Sequence, residues 1–333
     1  MECETLLSRL ESLHPVVLGP FPTPLTPLPR LSAALGGPEL WVKRDDLTGL
    51  GLGGNKVRKL AFLMADALRQ HADVVLTTGA QQSNHARQTA AAAAKVGLPC
   101  ILVLGGDAPA TAPGNYLLDR LLGAEVRWAG ERPLMPALTA EADNLRRAGR
   151  HPYVIPYGGS NAVGICGFVA ALVELVQQAQ AREITFDALV VASSSGGTQT
   201  GLALGARALD YPARIVGISI AEKAAPFRQQ MAELAAETAA LLGLDITLTP
   251  EEFHVADGYL GGGYGVVGEL ERAAIRLAAR TEGLLVDPVY TGRALGGLND
   301  LIRRGEFTGG ERVLFWHTGG TPALFAYAGE LLP

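Results

Sequence analysis

Short apolar runs alternate with longer helical stretches over most of this chain, and that rhythm constrains its fold more than any other feature. Asp73-Val74-Val75-Leu76-Thr77-Thr78 reads as a strand. After it come an alanine-rich helix over 84–96, strand 99–105, helix 114–122, strand 124–128 and helix 133–148. The pattern continues with a strand at Tyr153-Val154-Ile155, helix 165–180, strand 188–192, helix 200–209, strand 214–219, helices 223–243 and 266–282, and strand 313–316. Strands of Val, Ile and Leu without polar alternation belong to parallel sheets covered on both faces, and each parallel return needs a crossover, usually a helix. The expected fold class is therefore α/β, with two open, twisted, mostly parallel sheets flanked by helices. Upstream, a helix is expected over 4–12. The prolines at 20, 22, 24, 27 and 29 predict an extended strap, not a helix. Leu40-Trp41-Val42-Lys43 predicts a strand that enters a turn at Arg44-Asp45-Asp46-Leu47.

Composition narrows the function classes. With 333 residues, 48% of them hydrophobic, the chain can build a large core in one or two domains. A formal net charge of −5 and the lack of a basic run argue against nucleic acid as a partner. Met1-Glu2-Cys3-Glu4 opens no basic segment followed by an apolar core, so no signal peptide is expected. No stretch is expected to reach the roughly 18 apolar residues of a membrane span. Cys3, Cys100 and Cys166 are odd in number and widely spaced, fitting neither a disulfide framework nor a CxxC site, and the six histidines lack ligand spacing. A cytoplasmic, metal-free protein is the expectation.

Three segments carry chemistry. In Gly53-Gly54-Asn55-Lys56-Val57-Arg58-Lys59-Leu60, a glycine turn runs into a helix, with Lys56 at the junction. A lysine held there beside other cations can be pushed toward the neutral amine that forms Schiff bases. Ser193-Ser194-Ser195-Gly196-Gly197-Thr198-Gln199-Thr200-Gly201 lies between a buried strand and a helix. Its glycines let backbone N–H groups approach an anion, and the helix dipole favours negative charge. No Lys follows these glycines, so a compact monophosphate is expected in preference to a nucleoside triphosphate. Gly79-Ala80-Gln81-Gln82-Ser83-Asn84-His85-Ala86-Arg87 sits at the carboxyl end of a strand, where open α/β sheets bind ligands. Ser83 and Asn84 can donate to a carboxylate or a ring hydroxyl there, although capping of the next helix competes as a reading.

Taken together, Gly53 to Leu60, Gln82-Ser83-Asn84-His85 and Ser195 to Gln199 resemble the fold-type-II pyridoxal phosphate (PLP) enzymes. More closely they resemble the D-cysteine desulfhydrase / ACC (1-aminocyclopropane-1-carboxylate) deaminase family. Trp41-Val42-Lys43-Arg44-Asp45-Asp46 and Asp287-Pro288-Val289-Tyr290-Thr291-Gly292 extend the likeness, which runs from about Pro24 to Pro322. The resemblance implies a tryptophan-synthase-β-like fold, with a larger PLP domain from 1–56 plus 165–333 and a smaller inserted α/β domain at 57–164. It also implies a cytoplasmic homodimer acting on a small amino acid. By the same resemblance Lys56 carries PLP covalently and Asn84 contacts the ring 3-hydroxyl. Lys59 and the loop of Ser195, Gly196, Gly197, Thr198 and Gln199 hold the phosphate. Ser83, with Asn84 and His85, lies near the substrate, and Tyr264 and Tyr290 lie near the reacting carbon.

One departure divides the family. ACC deaminases carry Glu immediately after the tyrosine matched by Tyr290, and Leu where this chain has Thr318; here the residues are Thr291 and Thr318. A carboxylate beside the pyridine nitrogen would hold its proton and deepen the electron sink, whereas a neutral hydroxyl does so much less. Expulsion of a thiolate needs only a modest sink, so the pair favours β-elimination from D-cysteine to pyruvate, ammonia and hydrogen sulfide. The Cα proton would go to Lys56, Tyr264 or Tyr290. The alternatives are ACC deamination, an L-cysteate sulfo-lyase and, of another class, a non-catalytic PLP-binding protein.

Overall fold

A computed structural model describes residues 1–332. The chain opens with α1 (Cys3–Glu11), β1 (Leu25–Pro27), α2 (Pro29–Leu35), β2 (Glu39–Arg44) and α3 (Lys56–Arg69). There follow β3 (Val74–Gly79), α4 (Asn84–Val96), β4 (Cys100–Leu104), α5 (Gly114–Leu121), β5 (Glu125–Trp128), α6 (Leu134–Arg147) and β6 (Pro152–Val154). Next come α7 (Ala162–Gln180), β7 (Ala188–Ser193), α8 (Gly197–Ala208), β8 (Arg214–Ser219), α9 (Ala224–Leu241) and β9 (His254–Ala256). The chain ends with α10 (Glu269–Glu282), α11 (Thr291–Arg303), β10 (Arg312–His317), α12 (Thr321–Ala326) and α13 (Ala328–Leu331).

The strands form two sheets. A six-stranded sheet runs β1-β2-β10-β7-β8-β9, parallel except for β1, which lies antiparallel to β2. A four-stranded sheet runs β5-β4-β3-β6 and is wholly parallel. β3, β4 and β7 are buried along nearly their whole length, as strands covered on both faces must be. Leu314 and Trp316 pack on one side of the large sheet with Phe168, Leu172 and Leu202, while Val313 and Phe315 pack on the other with Leu295 and Leu298. This alternation along β10 is the period-two geometry of a strand with helices above and below. The glycine turn before α3, the β3–α4 loop and the β7–α8 loop all line one pocket.

Two expectations are corrected, and elements that the sequence did not announce appear. The proline strap is not uniformly extended: it holds β1, and Pro29 opens α2, because a first-turn residue has no intrahelical N–H bond to lose. The sequence pattern also did not announce α11, whose Thr291-Gly292-Arg293 start looks polar although its residues through Asn299 are buried. β9 is an edge strand of three residues, too short for periodicity to register. Finally, α7 holds an 18-residue window of mean hydropathy 1.7, long and apolar enough by length and composition to cross a membrane. Two thirds of that window is buried against α3, α8 and α9, so its apolarity is that of a helix with protein on most sides.

Candidate active site

Lys56 is the first residue of α3, and the turn before it can be built only from glycine. Gly53 has φ +71°, and a Cβ there would lie 2.0 Å from the Asp46 carbonyl oxygen. Gly54 has φ +126°, and its Cβ would meet the Gln88 amide at 2.5 Å. This compression lets Gly54 N donate to the Asp45 carbonyl, and Asn55 N donate to the Thr318 carbonyl, both at 3.0 Å. Lys56 is thereby aimed into the pocket. Burial without a counter-charge pulls its ammonium down to about 8.

One helical turn on, Lys59 is fully buried. Its Nζ donates to the Gly158 carbonyl at 3.1 Å and to Ser160 Oγ at 2.9 Å. Burial, and then Lys56, push it well below the usual lysine range. Beside it Gly196, at φ +78°, leads into α8, and no side chain caps the first N–H groups of that helix. A Cβ on Gly197 would stand 2.6 Å from Lys59 Nζ and 2.5 Å from Ser160 Oγ. Ser195 Oγ and Ser160 Oγ are 2.8 Å apart, and Asn55 Nδ2 donates to Thr198 Oγ1 at 3.1 Å. An open helix N-terminus, hydroxyls and a buried cation without a carboxylate make a cradle for a compact dianion. Gln199 does not line the pocket, and its side chain turns away, donating to the His254 carbonyl at 2.8 Å.

Opposite lies the loop before α4. Ser83 Oγ caps α4 by accepting from Ala86 N at 3.1 Å, and the residue also lines the pocket. The capping bond uses a lone pair and leaves the hydroxyl proton free. Asn84 and His85 line the pocket too. Thr77 Oγ1 donates to the Ile155 carbonyl at 2.9 Å, so His85 Nε2–H must be the donor in its 2.8 Å bond to that hydroxyl. Burial, then Lys56 and Lys59, hold this imidazole neutral, with Nδ1 unpartnered among the described residues.

Tyr290 lines the pocket, and Tyr264 reaches it through Tyr290, their hydroxyls 2.5 Å apart and their rings edge-to-face at 5.9 Å. Burial raises both phenols well above their ordinary value. The glycine-rich segment bearing Tyr264 is held by Arg293, which is buried and paired with Glu271 at 2.6 Å. Arg293 donates to the carbonyls of Leu260 and Gly263 at 3.0 Å and of Val266 at 2.8 Å. Thr318 is on the pocket wall, but Thr291 is not. The Thr291 hydroxyl donates to Asp287 Oδ1 at 2.7 Å, while that carboxylate also accepts from the backbone of Val289, Tyr290 and Thr291.

Several lining residues escaped sequence reasoning. Tyr157 and Gly158 line the pocket, and Ser160 meets the cradle. Their segment, Tyr157-Gly158-Gly159-Ser160, follows β6 as a small polar loop follows β3 and β7, which is the signal that could have found it. Arg293 carried no such signal, because its partners are backbone carbonyls and a glutamate 22 residues away.

The family model described as pyridoxal-phosphate dependent enzyme matches residues 16–319. A Pyrococcus horikoshii protein named putative 1-aminocyclopropane-1-carboxylate deaminase is 44% identical, with 98% of each chain covered. A Yersinia enterocolitica D-cysteine desulfhydrase is 45% identical, with 92% of this chain and 93% of the relative covered. Among solved structures, one described as an ACC deaminase homologue superposes with a TM-score of 0.88 at 42% identity, covering 97% and 98% of the two chains. A processed threonine deaminase from Solanum lycopersicum gives 0.70 at 16% identity over 99% of this chain and 88% of that one, a likeness of fold alone. This chain belongs to the family of pyridoxal-phosphate dependent enzymes, and the uncompensated lysines and the cradle fit that cofactor.

Proposed function

We propose that this enzyme is a PLP-dependent lyase that eliminates a leaving group from Cβ of a small amino acid, D-cysteine first. D-cysteine and one water would give pyruvate, ammonia and hydrogen sulfide. The observation that carries this reading is the pocket itself. A desolvated amine faces a phosphate cradle and a phenol pair, and no Asp or Glu lines the wall among the described residues.

When bound, PLP supplies the electron sink for charge developing at Cα. The α8 N-terminus, Ser195, Thr198 and Lys59 would hold its phosphate, and Asn84 would donate to its ring oxygen. Ser83, with its hydroxyl proton free, would receive the substrate carboxylate, and His85 would close that side as a neutral ring. Lys56 would carry the cofactor and, once displaced by the substrate amine, take the Cα proton. A value near 8 keeps a useful fraction neutral around pH 7, while its conjugate acid can still return a proton. Tyr264 and Tyr290 suit the opposite task. Their raised values keep them protonated, so Tyr290 would donate to the departing thiolate and would not serve as the base. The neutral Thr318 and the Asp287-bound Thr291 offer the ring no carboxylate, which favours a good leaving group over cyclopropane opening.

The second reading, ACC deamination, is supported by the names of the Pyrococcus relatives. A sulfonate substrate would call for a cation beyond Lys56, and the wall supplies none among the described residues. The proposal takes the enzyme as a cytoplasmic homodimer, on the family resemblance, and sedimentation velocity would test the dimer. The deciding experiment is a substrate panel of D-cysteine, L-cysteine and ACC, following pyruvate, sulfide and 2-oxobutanoate. Faster turnover of D-cysteine supports the proposal. Faster turnover of ACC would overturn the substrate and leave the cofactor untouched.

A further inference from the structure

The amide of Asn84 has a donor end and an acceptor end, and its surroundings decide which one faces the pocket. Asn115, at the start of α5 and fully buried, makes that decision. Its Oδ1 accepts from Arg87 Nε at 2.8 Å, and a guanidinium can only donate. Its Nδ2 donates to the Gln82 carbonyl at 2.9 Å, and a carbonyl can only accept. Both ends of Asn115 are therefore fixed, and its second Nδ2 proton goes to Asn84 Oδ1 at 2.8 Å. The acceptor end of Asn84 is thus occupied from behind. Its Nδ2 makes no hydrogen bond among the described residues, and Asn84 lines the pocket. Arg87 is in turn fully buried and donates to the carbonyls of Gly51 and, at 2.9 Å, Gly53. Those two residues lie in the turn that delivers Lys56. One arginine accordingly ties the backbone that aims Lys56 to the amide that orients Asn84.

We propose that Asn115, anchored by Arg87, is a positioning residue that locks the Asn84 amide with its N–H groups toward the pocket, as donor to the PLP ring oxygen. The inference rests on the reading that Asn84 contacts that oxygen. An oxygen that carries negative charge wants a donor there, and a flipped amide would set acceptor against acceptor. The β3–α4 loop alone does not fix the choice, because nothing in the backbone of Asn84 distinguishes the two amide orientations.

The test uses the PLP-loaded enzyme and reads the visible band of the Lys56-bound cofactor and the PLP dissociation constant. Asn115→Asp keeps an acceptor for Arg87 but can no longer donate to Asn84, so the Asn84 amide turns its N–H groups away from the pocket. The band should move in the same direction as in Asn84→Asp, and PLP should bind more weakly by about tenfold or more, the worth of one hydrogen bond to a charged group. Asn115→Ala, which frees the amide without reversing it, should give a smaller move in the same direction. It also serves if Asn115→Asp does not fold. If Asn84→Ala moves the band but both Asn115 variants keep the wild-type band, the positioning role is overturned, even where affinity falls. If Asn84→Ala itself leaves the band unmoved, the contact between Asn84 and the ring oxygen is what fails.

Discussion

Arg58 lies on α3 between Lys56 and Lys59, yet it meets an opposite electrostatic fate. Its guanidinium donates to Asp45 at 2.8 Å and to Glu174 at 2.9 Å, and it stacks over the Phe21 ring at 4.6 Å. Burial works against its charge, but the two carboxylates outweigh burial and raise its pKa. Lys43 joins this cluster through Glu174, Gln178 and the Thr23 carbonyl, and Trp316 Nε1 donates to Asp45. Across the helix, Lys56 and Lys59 are enclosed with no carboxylate partner and are pulled down. The same helix thus carries one buried cation group that is neutralised by protein and another that is left for a ligand to neutralise. The first ties the strap, β2, α3 and α7 together. The second lies at the pocket without a carboxylate partner.

The contrast can be broken by removing each side in turn. The largest expected effect is on activity: Lys56→Ala should lower turnover by at least about a thousandfold, the scale of losing a positioned base, and abolish the visible cofactor band. It should not lower the urea midpoint of the cofactor-free protein, because an uncompensated ammonium leaves burial. On the other side, Glu174→Gln should destabilise the protein by about 3–5 kcal/mol, since it takes the paired carboxylate from Lys43 and leaves Arg58 with Asp45 alone, and urea unfolding would measure that. If the two substitutions destabilise equally, the contrast is wrong.

Acid sharpens it further. Burial opposes the Glu174 charge, but Arg58 and Lys43 prevail and bring it from 4.5 down to about 2. A carboxylate with a depressed folded value contributes stability that is complete above pH 4.5 and is lost as pH falls toward 2. That contribution is on the order of 3 kcal/mol, readable from urea midpoints against pH in wild type and Glu174→Gln. Lys56 gives the opposite limb. Capture of PLP by the cofactor-free enzyme needs the neutral amine, so its rate should climb with pH to about 8 and then level off. The smallest effect belongs to the cradle. Thr198→Ala should weaken PLP binding by about 1.5–3 kcal/mol, because backbone groups remain, while bulk at Gly197 should do worse by pressing on Lys59.

The fold and the chemistry were legible in different degrees. Continuous apolar strands and the small polar loops after them announced the two sheets and the segments that gather at the pocket. α4 spans 84–96 and β8 spans 214–219, as expected, because Ser83 caps one and turn residues flank the other. The strap hid α2 because proline is read as a breaker, although it is well tolerated at a helix start. Thr291 was expected beside the ring because it stands where the resembling ACC deaminases carry Glu, but its hydroxyl donates to the buried Asp287 carboxylate. Arg87, Asn115 and Arg293 stayed silent because they act through backbone carbonyls and side chains distant in sequence, and only packing brings such partners together.

The most direct test is to reduce the PLP-loaded enzyme with borohydride, digest it and locate the cofactor by mass spectrometry. The contrast along α3 predicts a single modified residue, Lys56, with Lys59 free. Cofactor fixed on Lys59, on Lys43 or on any peptide lacking residue 56 would contradict it.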